Sequence, residues 1–220
     1  MHIMEGFLPP LWAAFWYAIA APFVAFGAYR TWKHVSDRTG EKALLAVAAA
    51  FIFVFSSLNI PSVVGSTTHP TGTGLAVVLF GPVVTAFLST IVLLYQSLLL
   101  AHGGISTLGA NVVSMGIAGP LVAFGAFVLV RRRLTLVQST FVVAVVANLV
   151  TYLVTSIQLA FAFPTEAGIG GVVAAAINFA AIFAITQIPI AVVEGVIAAG
   201  VIGYLVDVKA DVKTRLGVPA

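Results

Sequence analysis

Between Lys42 and Arg131 the chain has no Asp, Glu, Lys or Arg. Segments 8–29 and 136–163 are equally free of charge. A bilayer core takes about 20 apolar residues of helix, and runs of this length cannot be folded behind a water-facing surface. Charged residues make up 8% of the sequence, against about 25% in soluble domains; mean hydropathy is +1.14. The expectation is an all-α, polytopic integral membrane protein forming a single transmembrane domain over residues 1–220.

The few charges orient it. Arg30, Lys33, His34 and Arg38, then Arg131, Arg132 and Arg133, then the tail 207–220, mark three cytoplasmic segments by the positive-inside rule. The net charge of +3 therefore reads as orientation in a prokaryotic plasma membrane, with no nucleic-acid partner. About seven transmembrane segments satisfy these clusters: 8–29, 42–60, a short partial descent 75–80, 83–101, 110–130, 136–163 and 172–206. The short one comes from a reversal at Gly81-Pro82, because a single span over 75–101 would put the arginine triplet outside. The N-terminus is then outside and the C-terminus cytoplasmic. Outer loops fall at about 61–74, 102–109 and 163–171, rich in Gly, Pro, Ser and Thr. The first span carries many small residues, among them Ala13, Ala14, Ala18 and Ala21, suited to close helix packing within the bundle or against a partner subunit. No basic residue precedes the first apolar run and no cleavage site stands out, so no signal peptide is expected.

There are no cysteines, so a transition-metal site must use nitrogen and oxygen donors. The segment 1–9 offers them. A free amine on Met1, the deprotonated amide of His2 and the His2 imidazole close a five-membered and a six-membered ring on one cation. Three in-plane nitrogens leave one position open. This suits Ni(II), Cu(II) and low-spin Co(II), and serves oxygen-preferring Mg(II) and Ca(II) poorly. His69, in the outer loop on the same side, is the candidate fourth ligand, with Thr68 beside it. The amine and imidazoles must be deprotonated to bind, so capture should weaken as pH falls.

The opening MHIMEGFLP, the loop GSTTHPTGTGLAVVLFGP, the stretch LLYQSLLLAHGGISTLGANVVSMGIAGP and the late AVVEG resemble the CbiM/NikM family. These are substrate-binding membrane components of energy-coupling-factor transporters for cobalt and nickel. The resemblance implies seven transmembrane helices and a metal held by the Met1 amine, the His2 amide and imidazole, and His69. It implies partners: a transmembrane coupling subunit, ATPase subunits and, on the cobalt side, a small accessory membrane subunit. No cofactor is implied; the metal is the substrate. The Met4-Glu5 pair, where nickel members tend to have Pro-Asp, tilts the expectation to Co(II), with Ni(II) as the alternative.

Other polar residues are weighed by position. His102 can shape the pocket or pass the ion inward, or simply bond to loop backbone. Glu5 is expected to brace the amine end, and Asn111 to brace a loop. His34 is expected to be solvated. Gln96, Asn148, Gln158, Asn178 and Gln187 are expected to face the bundle interior. Glu194, the one acid deep in a span, is placed toward the cytoplasmic side, as a structural pairing or a contact with the coupling subunit. The chain has no GxxxxGK[ST] phosphate loop, HExxH, GxSxG or cysteine nucleophile, so neither ATP hydrolysis nor another enzymatic activity is expected. A self-sufficient secondary transporter usually needs several intramembrane carboxylates, and only Glu194 qualifies.

Overall fold

A computed structural model describes residues 1–37, 39–61, 66–208 and 216. Arg38, positions 62–65 of the expected outer loop and most of the expected cytoplasmic tail lie outside the described residues. In chain order the elements are β1 (His2–Ile3), α1 (Pro10–Asp37), α2 (Lys42–Ser57), β2 (Ile60–Pro61), β3 (Ser66–Thr68), α3 (Thr73–Leu99), α4 (Leu108–Val130), α5 (Leu136–Ala162) and α6 (Ile169–Val208). A single 3₁₀ turn, Thr39–Glu41, joins α1 to α2.

Five helices, α1, α3, α4, α5 and α6, are long and apolar enough to cross a membrane, and α2 is a shorter apolar helix. The distribution of side chains is that of a membrane protein. Leu11, Phe15, Phe23 and Phe26 on α1 and Ile169, Ile177, Ile185 and Val193 on α6 are exposed, whereas Thr85, Gln96, Asn148, Thr151, Gln158, Gln187 and Glu194 are buried. Intrahelical polar groups turn inward because lipid offers them no partner. Asn178 departs from that expectation: it lies on an exposed face of α6.

Local chemistry sets the helix ends. Pro10 opens α1, where a missing amide hydrogen costs nothing. Thr135 and Gln138 form a reciprocal capping box at the start of α5: Gln138 N donates to Thr135 Oγ1 at 3.2 Å and Thr135 N donates to Gln138 Oε1 at 3.1 Å. The Gly81-Pro82 break is present within α3. Gly81 has φ +79° and ψ 172°, a conformation essentially closed to L-residues. The chain reverses there. Phe80 packs edge-on against His34 near the end of α1, at 5.6 Å between ring centroids, while the second arm climbs back so that Gln96 bonds Ser56 and Ser57 at the end of α2. The short and full segments expected over 75–101 are thus two arms of one broken helix, and the described residues hold five helices of spanning length and one shorter apolar helix. His34 is not simply solvated: its Nε2 lies 2.7 Å from a Glu41 carboxylate oxygen.

α4 contains a wide π-helical stretch, Val112–Ala118, which nothing in the sequence announced. Such stretches recur near functional sites, and this one directly follows Asn111. α5 and α6 run antiparallel along most of their length: Gly203 lies against Val137, and Gly195 against Phe141 and Val145.

The all-α expectation needs one correction. The first residues and the loop after α2 form a small antiparallel sheet in the order β1-β3-β2, with His2 opposite Thr67, Ile3 opposite Ser66, Ile60 opposite Thr68 and Pro61 opposite Thr67. Its strands are two or three residues long. That is too short for an alternating pattern to show in sequence.

Candidate metal centre

The sheet places the amine end inside the protein. Met1, His2 and Ile3 are fully buried, and so are Thr68 and His69. Residues 66–69 and 71–72 of the expected outer loop are all buried. This loop does not lie over the mouth of the bundle; it dips into it. Irregular backbone at such depth survives only when wrapped in protein, and here Gly72 makes the tight passage possible. It has φ +70°, and a Cβ on it would stand 2.8 Å from Ile52 Cα.

The N-terminal segment is strapped down by the connection before α4. Asn111 holds both backbone groups of Ile3, and Thr107 Oγ1 donates to Ile3 O at 2.8 Å. Glu5 N donates to Gly103 O at 3.0 Å. Ser106 N donates to the Glu5 carboxylate at 3.1 Å, and Gly6 N donates to Ser106 Oγ at 2.9 Å. Gly104 is bare where Glu5 crosses: a Cβ there would stand 2.5 Å from Glu5 Cα. Glu5 therefore ties the segment at an exposed position, and Asn111 ties it at a buried one.

Three imidazoles converge beside the amine. One ring nitrogen each from His2, His69 and His102 can be chosen so that all three lie within 4.8 Å of one another. Ring centroids are 4.3 Å apart for His2 and His69, 4.4 Å for His2 and His102, and 5.1 Å for His69 and His102. The His2 and His69 rings are tilted by 33°, while His102 stands at 78° to His2 and 69° to His69. His69 Nδ1 donates to Pro70 O at 2.7 Å, which leaves Nε2 with a free lone pair. The Asn59 side-chain amide lies 2.7 Å from His102 Nδ1. Both ring nitrogens of His2, and Nε2 of His69 and His102, are buried without a partner among the described residues.

Buried polar atoms are nearly always satisfied. Three of these nitrogens, one from each ring, lie together, and the His69 ring bonds a backbone carbonyl through its other nitrogen, an arrangement that metal-ligating histidines commonly show. Burial drives the titration of every group here toward the neutral form. The Met1 amine is lowered to about 4 by desolvation. His102 is lowered to about 4 by the same cause, and desolvation holds His2 and His69 well below the ordinary imidazole value. The neutral form is the one that binds a cation.

The sequence reading placed His102 in a supporting role. The structure puts its ring as close to His2 as the His69 ring is, because the reversal at Gly81 returns the second arm of α3 to this end. Thr68 is in β3, its Oγ1 receiving a long bond of 3.3 Å from Thr186 Oγ1. Glu194 is the main correction. It does not lie toward the far end of α6 but in the network around Asn148, midway along α5, where it binds the loop that carries His69. Gln187 completes that network, donating to His69 O at 3.0 Å.

With this geometry in hand, the relatives are informative. The family described as CbiM, cobalt uptake substrate-specific transmembrane region, matches residues 2–212. The chain belongs to that family. A CbiM relative from Halobacterium salinarum is 58% identical over 220 residues, the whole of both chains. The cobalt transport protein CbiM of a Roseiflexus species is 48% identical over 216 residues, 98% of this chain and 85% of that one. A crystal structure described as a transition metal transporter superposes with a TM-score of 0.80 at 28% identity, covering 94% of this chain and 93% of that one. A truncated transition metal transporter superposes at 0.79 with the same identity. CbiM membership and the apolar helices together make this a multi-pass transmembrane transport protein.

Proposed function

We propose that this chain is the metal-capturing subunit of an ATP-driven importer and that its substrate is Co(II). The observation that carries the reading is the meeting of three partnerless imidazole nitrogens with a buried terminal amine. Met1 supplies the amine, His2 its amide and Nδ1, and His69 its Nε2, giving four nitrogens in or near one plane. Names borne by the relatives support cobalt.

The position of His102 supports cobalt as well. The three ring separations suit neighbouring positions around one ion. With the amine, the amide, His2 and His69 filling the plane, the partnerless Nε2 of His102 is the donor left for an apical position. Planar low-spin Ni(II) has no use for a fifth donor; low-spin Co(II) accepts one. Ni(II) remains the second reading, since the planar donors alone serve it equally.

The basic residues near the ends of α1 and α4 lie a full helix length from His2, and by the positive-inside rule that end is cytoplasmic. The metal is then taken from the outer side. The chain lacks a phosphate loop, so energy must come from ATPase subunits acting through a transmembrane coupling subunit, with a small accessory membrane subunit on the cobalt side.

The test is twofold. The purified chain should bind one Co(II) with a visible band of a nitrogen-ligated ion. Proteoliposomes holding the chain alone should not accumulate the metal, whereas those with coupling and ATPase subunits and ATP should. Accumulation by the chain alone would favour a secondary transporter instead.

A further inference from the structure

Glu194 is a fully buried carboxylate for which the capture chemistry has no use. Its oxygens receive hydrogen bonds from Thr71 N at 2.7 Å, Gly72 N at 2.7 Å, Thr71 Oγ1 at 2.8 Å and Asn148 Nδ2 at 2.7 Å. The direction of these bonds is fixed by their neighbours. The His69 carbonyl can only accept, so Gln187 turns its Nε2 there. The same Nε2 lies 2.7 Å from Asn148 Oδ1, which leaves Asn148 Nδ2 for Glu194. Backbone amides only donate, so Thr71 N, Gly72 N and Asn148 Nδ2 all give protons to the carboxylate, and the Thr71 hydroxyl is placed to add a fourth. Three obligate donors on one carboxylate favour the anion.

A buried anion demands a cation. Among the described residues, Lys and Arg fall at 30, 33, 42 and 131–133, and none hydrogen-bonds to this network. The Met1 amine is within electrostatic reach of Glu194, and as a ligand it binds the ion through its free lone pair, without a proton. In the complex the positive charge facing Glu194 is therefore the one the substrate brings. A dication that displaces the His2 amide proton to solvent leaves a net charge of +1 on the complex, and one carboxylate balances it.

We propose that Glu194 is the fixed counter-charge of the metal site, a positioning residue held against the His69 loop through Thr71 and Gly72. It makes the pocket selective for charge without contributing a ligand atom. The inference rests on the reading that Met1, His2 and His69 capture a divalent ion.

The experiment is Co(II) titration of the purified full chain in detergent, with affinity, visible band and melting temperature recorded for three proteins. Binding by the parent chain tests the capture reading itself; its absence would sink that reading. Given parent binding, Glu194→Gln should lower affinity about tenfold or more, the order of a unit-charge interaction inside a protein at an effective dielectric near 20. The band should keep its position. The double variant Asn148→Asp with Glu194→Gln restores one negative charge beside the lost one and should recover most of the affinity. It also decides the matter if Glu194→Gln alone fails to fold. Unchanged affinity in Glu194→Gln, or a double variant that folds but recovers nothing, would overturn the proposal. A shifted band in Glu194→Gln would reduce Glu194 to a support for the loop and overturn it too.

Discussion

The side-chain amide of Asn111 binds Ile3 as a neighbouring strand would: its Oδ1 accepts from Ile3 N at 2.8 Å and its Nδ2 donates to Ile3 O at 3.0 Å. The two-residue strand β1 is thereby held with β3 on one side and, at Ile3, a side chain on the other. Asn111→Ala would leave Ile3 N buried and unpaired and Ile3 O held by Thr107 Oγ1 alone, at a cost of on the order of 2 kcal/mol. Metal affinity should fall about tenfold or more while the helices stay folded, measured by calorimetry and circular dichroism on the same sample.

His69 and His102 should behave differently. His69→Ala removes an in-plane donor and should weaken both Co(II) and Ni(II) by at least about tenfold, in the range that even orienting groups command. His102→Ala should spare Ni(II) and selectively weaken Co(II), with loss of axial nitrogen coupling in the electron paramagnetic resonance of bound low-spin Co(II). Equal weakening of both metals by His102→Ala would remove the residue from the apex.

The pH dependence follows from burial. The amine and His102 are each lowered to about 4, and His2 and His69 are also lowered, so the folded apo site is neutral through the physiological range. Binding near neutrality then releases a single proton, from the His2 amide, and affinity should fall about tenfold per pH unit. Stability has its own sign. The unfolded amine and imidazoles take up protons from about pH 8 and 6.5 downward, whereas the folded amine and His102 stay neutral to about 4 and burial holds His2 and His69 neutral well below the ordinary imidazole value. The unfolded state binds more protons, so apo stability should drop as pH falls from 8 toward 4. A melting temperature that rises on acidification over that window would contradict the buried, neutral cluster.

The membrane class and the reversal at Gly81 were legible because each rests on local chemistry, absence of charge and a Gly-Pro break. The nearness of His2 to His69 was legible because the charge clusters set both on one side. What could not be read is what tertiary contact alone decides. β1 and β3 are too short to announce themselves. Glu194 looked distant from the site because a helix position was counted as depth, while the loop that meets it dips into the bundle. His102 was undervalued because its ring reaches the cluster only through a reversal whose depth the sequence does not set. Asn178 failed the rule that polar groups face inward for the plain reason that it lies on an exposed face of α6.

The central claim is that an unblocked Met1 nitrogen lies inside the protein as a ligand. The most direct measurement is Co(II) affinity of the chain with one glycine added before Met1, compared with the parent. The buried end leaves the extra residue no room, and the added peptide bond removes the terminal amine from the five-membered ring. The account predicts that tight binding is abolished while the fold persists. Binding of parental strength by the extended chain would contradict it.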